Sequence, residues 1–585
     1  MSDSILPYEP VAFGATSGLI HGGTGRTGVV ICNDWGFEGT CARRSLRILA
    51  DRLAGLGYPV LRFDYPGTGE SLALPLDVDG LQIFDDTLAQ ASDILRIRRG
   101  VTKVISVGLG FGAVLVGNAI ARQDDQAAGA VLLAPVLNGR AYLRELQLRA
   151  SMIAEVTGVR PEPLPDGAFS VAGFVMSPGL AAEIKSLRIS AEQFPRDLPI
   201  LVLNRGGREN EADFASKIAA RNPVNRTAVF WGYDDLMTDP TAAKVPQPDF
   251  TAVAEWIRTQ FPPEAASAAQ SGPIAPAMTG AGFVETIHII GRENQMVGTW
   301  CCPERGQTGP AVVFFNAGGT PRSGWADHVR TTARRLAQDG IASLRIDVSD
   351  VGDSHPASQG DEIVHYSECQ LHDISDALDF VETRGVRSVV AAGTCSGAYL
   401  ALRGAISDQR IAGIVAVNLQ RFLWDRREDV EQALRFDHTD TGAYARKLLD
   451  ASKLKKLFTG QVSALSLSRF LATRALRSLE SRTAPYLFGL SPSSRIYRRV
   501  NSELRDLRDR NVRIDFLFSV GDVGIPHMER VLGKDGRNAA AFPNLDLTFI
   551  PDADHNLTPA PAQEIYYAKI KSAVERISGS DGARA

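Results

Sequence analysis

Two segments of this chain repeat the same order of strand, turn and helix signals. In each segment an asparagine that ends an apolar run precedes an aspartate by 31 residues, and the aspartate precedes a serine by 7 residues. These residues are Asn33, Asp64 and Ser71 in the first segment and Asn316, Asp347 and Ser354 in the second. Apolar strands that alternate with helical patterns indicate βαβ units. The sequence therefore predicts one α/β domain written twice, each copy a doubly wound, mostly parallel sheet.

Length and composition agree with two domains. A chain of 585 residues is too long for a single hydrophobic core. Residues 262–282 are rich in Ala, Ser, Pro and Gly, so they are interpreted as a linker between a first copy, residues 1–261, and a second copy, residues 283–578. Each copy also carries a helical insertion, at about 138–195 and about 420–505, which is expected to cover the carboxyl edge of its sheet as a lid.

Charge and terminal sequence exclude several classes of protein. The formal net charge of −4 gives no indication of a nucleic-acid partner. The start of the chain lacks a signal-peptide pattern, and no stretch is long and apolar enough to span a membrane, so a cytoplasmic location is expected. The 6 cysteines form neither a disulfide framework nor a repeated zinc pair. No cofactor is expected.

Residues 389–400 carry the strongest chemical signal. An apolar run ends in Gly393-Thr-Cys395-Ser-Gly397 and continues as a good helix opening, which predicts a strand, a sharp turn and a helix. Such an elbow pushes its middle side chain out over the sheet edge, and flanking glycines remove the Cβ atoms that would collide there. Cys395 is therefore the candidate nucleophile, with a buried structural thiol as the alternative. Ser396 is one place past the apex and would point into the turn.

The elbow, the repeated strand–loop segments and the later polar residues resemble the α/β-hydrolase superfamily. That resemblance implies a chain order of nucleophile, acid and histidine. Cys395 is followed by Asp522, after an apolar strand, and then by His555 in a loop after the last strand. A cysteine in the nucleophile position is similar to dienelactone hydrolases and polyester synthases, which have a Cys-Asp-His triad.

Rivals exist for two of the three positions. His527, close behind Asp522, could replace His555 as the base. Asp552 or Asp554, in the histidine loop, could replace Asp522 as the acid. The resemblance also implies an oxyanion hole, which stabilises the negative oxygen of a tetrahedral intermediate. Its donors would be the backbone N–H of Ser396 and one N–H from the loop 316–319, where the family position favours Gly318.

The first copy lacks this chemistry. Its elbow is Gly108-Leu-Gly110-Phe-Gly112, so the nucleophile position holds a glycine without a side chain. Its acid strand, residues 201–207, has no aspartate at the expected place, and its histidine loop becomes residues 231–236 without a histidine. In residues 141–146 and its lid, the first copy is loosely similar to hydrolases encoded beside bacterial exopolysaccharide and exosortase genes. It is predicted to be catalytically inactive and to serve as a scaffold, lid partner or specificity domain.

The predicted function is a thiol-dependent acyl hydrolase that cleaves an ester or thioester. One alternative is an acyltransferase with the same triad, and another is a non-catalytic binding protein. Residues 441–510 contain 15 Lys/Arg against 5 Asp/Glu. This basic lid either faces water or receives an anionic partner, such as an acyl-coenzyme A, a lipid-linked sugar or an anionic membrane surface.

A second cluster could be interpreted as a metal site. His365, Cys369 and His372 lie at i, i+4 and i+7 on one face of a predicted helix. Their side chains could in principle be three ligands of one ion. The helix precedes the elbow, where this fold packs helices against the sheet, so packing is the favoured interpretation and no metal is predicted.

Overall fold

The computed structural model describes residues 8–74, 80–122, 127–157, 163–264, 277–307, 309–357, 366–424 and 490–582. The chain divides into two compact units. The first unit contains residues 1–308 and 318–360, and the second contains residues 309–317 and 361–585. Residues 265–276 of the predicted linker and residues 425–489 of the predicted basic lid lie outside the described residues.

The strands are numbered in chain order. They are β1 Tyr8–Phe13, β2 Thr16–His21, β3 Thr27–Cys32, β4 Val60–Asp64, β5 Lys103–Leu109, β6 Ala127–Leu133, β7 Phe169–Val171, β8 Phe174–Met176, β9 Ile200–Asn204, β10 Arg226–Val229, β11 Ala277–Gly280, β12 Phe283–Ile290, β13 Met296–Pro303, β14 Ala311–Phe315, β15 Ser343–Asp347, β16 Val389–Thr394, β17 Ile411–Val417, β18 Arg513–Ser519 and β19 Leu545–Ile550.

The helices are numbered in the same way. They are α1 Gly36–Gly55, α2 Leu81–Arg99, α3 Phe111–Arg122, α4 Gly139–Thr157, α5 Pro178–Ser186, α6 Glu209–Arg221, α7 Tyr233–Leu236, α8 Gln247–Gln260, α9 His328–Gln338, α10 Glu368–Thr383, α11 Ser396–Ser407, α12 Pro492–Asp509, α13 Ile525–Leu532 and α14 Ala560–Gly582.

The first unit contains an eight-stranded sheet in the order β1-β2-β4-β3-β5-β6-β9-β10. Its strands from β4 to β10 pair in parallel, and β1 and β2 add an antiparallel edge. Every residue of β3 is buried, and β5 is buried after its first residue. Parallel strands covered on both faces need such continuous apolar runs. The same unit holds the antiparallel run β11-β12-β13-β15 and helix α9.

The second unit contains the parallel run β14-β16-β17-β18-β19 with helices α10 to α14. Strand β16 is completely buried, and β17 and β18 are nearly so. The carboxyl ends of parallel strands meet at one edge of a sheet, which is where an open α/β sheet binds its ligands. The loops after β16, β18 and β19 therefore share one edge.

The repeated spacing of aspartate and serine has a structural explanation. In the first copy the hydroxyl of Ser71 donates to the backbone oxygen of Asp64 over 2.6 Å, and in the second copy Ser354 donates to Asp347 over 2.6 Å. Each serine oxygen then accepts a backbone N–H from a neighbouring strand segment, Ser17 or Val297. The serine thus closes the turn after the strand in both copies, and a change in spacing would break this bond.

Inside the first unit, the arginine of each repeated segment pairs with an acid of the other segment. Arg62 donates to Asp353 over 3.0 Å, and Arg345 donates to Glu70 over 2.8 Å. The two arginines stand two residues before the repeated aspartates, and the two acids six residues after them. Reciprocal pairing of equivalent residues is the mark of a two-fold relationship. It also explains why residues 318–360 belong to the first unit.

The predicted fold class is confirmed, because both copies are α/β structures with mostly parallel sheets between helices. The boundaries 1–261, 262–282 and 283–578 stay a prediction. None of the helices in the part of the chain that the structure describes is both long enough and apolar enough to cross a lipid bilayer.

Candidate active site

Cys395 is the single residue between β16 and α11. Its backbone has φ 57° and ψ −118°, a left-handed conformation that costs a residue with a side chain about 1–3 kcal/mol. Its N–H donates to the backbone oxygen of Val417 over 2.9 Å, so the elbow is fixed to the neighbouring strand. The structure therefore has the strand, sharp turn and helix that the sequence predicts, with the thiol at the apex.

The two flanking glycines are required by close backbone contacts. A Cβ atom at Gly393 would collide with the backbone of Gly397. A Cβ atom at Gly397 would lie 2.5 Å from the backbone oxygen of Phe315 and 2.6 Å from that of Asn316. Real Cβ atoms do not approach carbonyl oxygens so closely. Both glycines are therefore explained by the tightness of the turn.

Asp522 and His555 form a direct pair. Nδ1 of His555 donates to Oδ2 of Asp522 over 2.7 Å. The Asp522 side chain is only 2% exposed, whereas the His555 side chain is 20% exposed. The other carboxylate oxygen of Asp522 accepts the N–H of Gly524 over 2.7 Å. The carboxylate is thus held in place from one side while it orients the imidazole from the other.

The proton on His555 is strongly stabilised. Burial of the ring is the largest single influence and lowers its pKa, but the charges of Asp522 and Cys395 and hydrogen bonds to both outweigh it. The net effect raises the pKa of His555 well above its ordinary value. Because Asp522 takes Nδ1, Nε2 is the nitrogen left for the thiol. The structure therefore brings Cys395, His555 and Asp522 together.

Two of the rivals, His527 and Asp554, have other partners. Nε2 of His527 lies 2.7 Å from Nη1 of Arg421, and burial, followed by the charges of Arg421 and Arg530, lowers the pKa of His527 well below its ordinary value. Asp554 uses both carboxylate oxygens on Thr558, accepting its N–H over 2.7 Å and its hydroxyl over 2.6 Å. The geometry thus favours His555 and Asp522 over these neighbours.

The two predicted oxyanion donors fall in different units. Ser396 begins α11 and is buried in the second unit. Gly318 lies in the first unit with φ 53°, and the N–H of the adjacent Gly319 donates to Oγ1 of Thr241 over 3.0 Å. The roles of Ser396 and Gly318 stay predictions.

The metal interpretation of the cluster near α10 is only partly described. His365 lies outside the described residues. The sulfur of Cys369 lies 2.9 Å from the hydroxyl of Ser367. Within the described ranges, no group of three or more His, Cys, Asp or Glu side chains is placed to hold a metal ion.

Family profiles match both copies of the sequence. Residues 29–164 match the serine aminopeptidase S33 family, and residues 312–566 match the α/β-hydrolase family. The chain belongs to the α/β-hydrolase superfamily, with two tandem domains. The two matches support an enzyme of the α/β-hydrolase type. No curated protein shows significant sequence similarity to the chain.

Each of the similar solved structures covers a little under half of this hydrolase. An esterase from Pyrococcus furiosus has 16% identity and a TM-score of 0.29, covering 44% of this chain and 94% of its own. A proline iminopeptidase-related protein from Thermus thermophilus has 22% identity and a TM-score of 0.30, and the match covers 44% of this chain and 99% of its own. A soluble variant of monoglyceride lipase from Saccharomyces cerevisiae has 15% identity and a TM-score of 0.31, covering 44% and 98%.

The hydrolase elbow of the first copy has the same backbone as that of the second. Gly110 has φ 55°, and its N–H donates to the backbone oxygen of Leu133 over 2.9 Å. A side chain could not be added there, because the Cβ atom would lie inside the carboxyl group of Asp34. The place that the thiol takes in the second copy is thus filled by an aspartate from the preceding loop.

Asp34 binds the groups that would form the oxyanion hole of the first copy. Its Oδ1 accepts the N–H of Phe111 over 3.0 Å and that of Trp35 over 2.8 Å. Burial raises the pKa of Asp34 to about 6, although the two N–H bonds oppose this rise. In the strand registers Cys32 faces Gly108 as Phe315 faces Gly393. Phe111 and Trp35 are therefore the equivalents of Ser396 and Gly318.

The other two catalytic positions of the first copy are also occupied differently. Arg205 follows the strand that would deliver the acid, and it pairs with Glu211 over 2.6 Å and with Glu145 over 2.9 Å. Tyr233 begins α7, in the segment that would deliver the histidine, and its ring lies beneath the guanidinium of Arg205. The prediction that the first copy lacks a triad agrees with these placements.

Two buried side chains were missed at the level of sequence. Asp34 fills the first elbow, and Asn418 contacts the histidine loop of the second copy. When the two copies are aligned by their strand registers, Asp34 corresponds to Ala317 of the second copy, and Asn418 corresponds to Ala134 of the first. Alignment of the two copies residue by residue would have revealed these differences, because a polar residue replaces an apolar one inside an otherwise similar core.

Proposed function

We propose that the second copy is a thiol-dependent acyl hydrolase that cleaves an ester or thioester through an acyl-cysteine intermediate. The observation that carries this proposal is the pair of His555 and Asp522, joined over 2.7 Å, beside a thiol on a strained elbow. Backbone strain of this kind is concentrated at active sites and other functional sites.

The first step is acylation of the thiol. A proton held on His555 beside Cys395 is what a thiolate–imidazolium pair requires, and the thiolate is the nucleophile. The sulfur forms a bond to the carbonyl carbon of the substrate, and the carbonyl oxygen becomes negative. When that intermediate collapses, the bond to the leaving group breaks, and His555 gives its proton to the departing alcohol or thiol.

The second step releases the acid. The imidazole of His555, now neutral, takes a proton from a water molecule as its oxygen attacks the acyl carbon. The carbon–sulfur bond then breaks, leaving the free carboxylic acid and the thiolate, with the proton again on His555. Asp522 stays ionised throughout, holding the ring in one orientation and stabilising the imidazolium.

The first copy supports the proposed oxyanion hole of the second. There, a carboxylate oxygen of Asp34 already accepts both N–H groups that are equivalent to those of Ser396 and Gly318. A negatively charged oxygen therefore fits between these two donors when the elbow has this backbone. We infer that the N–H of Ser396, at the start of α11, helps to bind the oxyanion of the tetrahedral intermediate beside Cys395, where a donor contributes about 3 kcal/mol.

Product analysis tests the proposal. The wild-type chain is given a short-chain acyl thioester and a nitrophenyl ester, alone and with a sugar alcohol as acceptor. We expect free acid as the main product, with a rate about a thousandfold lower in Cys395→Ala. Cys369→Ala, which removes a half-buried thiol of the same unit, is the matched control and should keep the wild-type rate.

Two outcomes would replace this proposal. Acylated acceptor in excess of free acid would show that the enzyme is an acyltransferase with the same intermediate. Equal rates in the wild type and in Cys395→Ala, both above the uncatalysed rate, would remove the thiol from the reaction. A wild-type rate no higher than the uncatalysed rate would leave the non-catalytic binding role.

A further inference from the structure

Asn418 is a buried amide directly after β17. It is completely inaccessible to solvent and has a left-handed φ of 51°. Its Nδ2 donates to the backbone oxygen of His555 over 2.9 Å and to the hydroxyl of Ser519 over 3.0 Å. Its Oδ1 accepts the N–H of Ser519 over 2.8 Å. One side chain thus joins the ends of two strands to the loop that carries the histidine.

Ser519 extends the same connection. It is the last residue of β18 and is 1% exposed, and its hydroxyl donates to the backbone oxygen of Asp554 over 2.7 Å. Its own backbone oxygen accepts the N–H of Asp522 over 2.9 Å. Asn418 and Ser519 therefore hold two consecutive carbonyl groups, those of Asp554 and His555, and Ser519 also ties the acid loop to the same strand end.

The left-handed backbone does not by itself explain an asparagine at position 418. In the first copy the equivalent residue is Ala134, with φ 47°. Both residues donate their N–H to the next strand, Ala134 to Leu203 over 2.7 Å and Asn418 to Leu517 over 2.8 Å. Alanine is therefore compatible with this conformation in this fold.

The position of Ser519 differs in the same way. Leu203 and Leu517 are equivalent in the strand registers, so the residue two places later is Arg205 in the first copy and Ser519 in the second. The copy without a Cys-His-Asp triad thus lacks both members of the pair. The copy that has them also has the amide and the hydroxyl that hold the histidine loop.

We propose that Asn418, together with Ser519, is a positioning residue that fixes the His555 loop so that the ring meets Asp522 and Cys395 at the same time. This inference rests on the proposed function. The two bonds hold the backbone of His555 itself and of the residue before it. If these carbonyl groups could move, the imidazole would move with them. A displacement of about 1 Å in a catalytic group can cost about a hundredfold in rate.

The test compares Asn418→Ala and Ser519→Ala with Asn544→Ala. Asn544 is also a buried amide of the second unit, and its Nδ2 donates to the backbone oxygen of Val512 over 2.7 Å, at the opposite end of β19 from the histidine loop. All three changes leave buried polar backbone groups without a partner and should lower the melting temperature. Ala134 shows that the first variant can keep its backbone.

Three readouts separate positioning from a general structural role. We expect kcat to fall about ten- to a hundredfold in Asn418→Ala and Ser519→Ala, with KM little changed and with Asn544→Ala near the wild type. The basic side of the pH profile should move to lower pH in the first two variants only. The third readout is the titration of the His555 ring, followed by NMR of histidine-labelled protein and assigned with His555→Gln.

The NMR readout does not require turnover. A lower pKa of His555 in Asn418→Ala than in the wild type supports the positioning role even if no ester is hydrolysed, in which case the proposed function alone fails. An unchanged kcat, pH profile and ring pKa in both Asn418→Ala and Ser519→Ala, with the same loss of stability as Asn544→Ala, would overturn the positioning role and leave the proposed function standing.

Discussion

Replacement of His555 with alanine is expected to lower the kcat/KM for ester hydrolysis about a thousandfold or more. The ring is the proton donor to the leaving group and the base for the attacking water, so its loss removes general acid–base catalysis from both steps. The measurement is the initial rate of nitrophenyl ester hydrolysis at about pH 7.5. It should be made at substrate concentrations well below KM, where the rate reports kcat/KM.

His527→Gln is the matched control for this prediction. His527 is a second half-buried histidine of the same unit, but it contacts Arg421 and has a lowered pKa. Its replacement should leave kcat/KM within about threefold of the wild type, since it lies outside the proposed machinery. A thousandfold loss in His527→Gln together with a near-normal rate in His555→Ala would reverse the assignment of the base.

Asp522→Asn should have the second largest effect, a loss of about a hundredfold or more in kcat/KM together with a changed pH profile. The Asp522 charge is the largest influence that raises the pKa of His555, so its removal lowers that pKa. The imidazolium is then lost at a lower pH. We expect the basic limb of the kcat/KM profile to move to lower pH in this variant.

The free energy of unfolding should also depend on pH through the raised pKa of His555. A histidine whose folded pKa is raised contributes stability that is fully present below its unfolded pKa of about 6.5 and is lost as the pH rises through the higher folded value. Wild-type stability should therefore fall over this range, and the fall should be smaller in Asp522→Asn. Denaturant titrations at a series of pH values measure this fall in stability.

Asp554→Asn, whose carboxylate binds Thr558, is the control variant. A basic limb that does not move in Asp522→Asn would contradict the pairing of Asp522 with His555.

The fold could be predicted from the sequence because its signals lie within short segments. These signals are the apolar runs of buried parallel strands and the spacings that recur in both copies. Residues 389–400 contain a strand, a turn and a helix start within twelve positions, and the structure keeps all three. The order of Cys395, Asp522 and His555 could be predicted from the resemblance to α/β-hydrolases. Their contact depends on β16, β18 and β19 lying in one sheet with a common edge.

The filled elbow of the first copy could not be predicted in the same way. A glycine at position 110 shows only that no side chain is present there. That Asp34 fills the space depends on a loop 76 residues earlier that returns to the elbow through the pairing of β3 with β5. The contact of Asn418 with His555 likewise joins residues 137 positions apart, and spacing alone does not reveal it.

The distinction between the two copies has a simple physical basis. Both have an elbow with the same backbone, but the space above it contains an internal carboxylate in the first copy and a thiol in the second. We therefore expect the first copy to be closed to an acyl carbonyl by its own side chain, in addition to its lack of a nucleophile at the elbow. Catalysis, on this account, belongs to the second copy alone.

Intact mass spectrometry after brief incubation with an acyl thioester tests this account most directly. The wild-type chain should gain the mass of one acyl group, located by peptide mapping on Cys395 and removed by hydroxylamine as expected for a thioester. Cys395→Ala should gain nothing under the same conditions. An acyl group on another residue, or the same gain of mass in Cys395→Ala, would contradict the account.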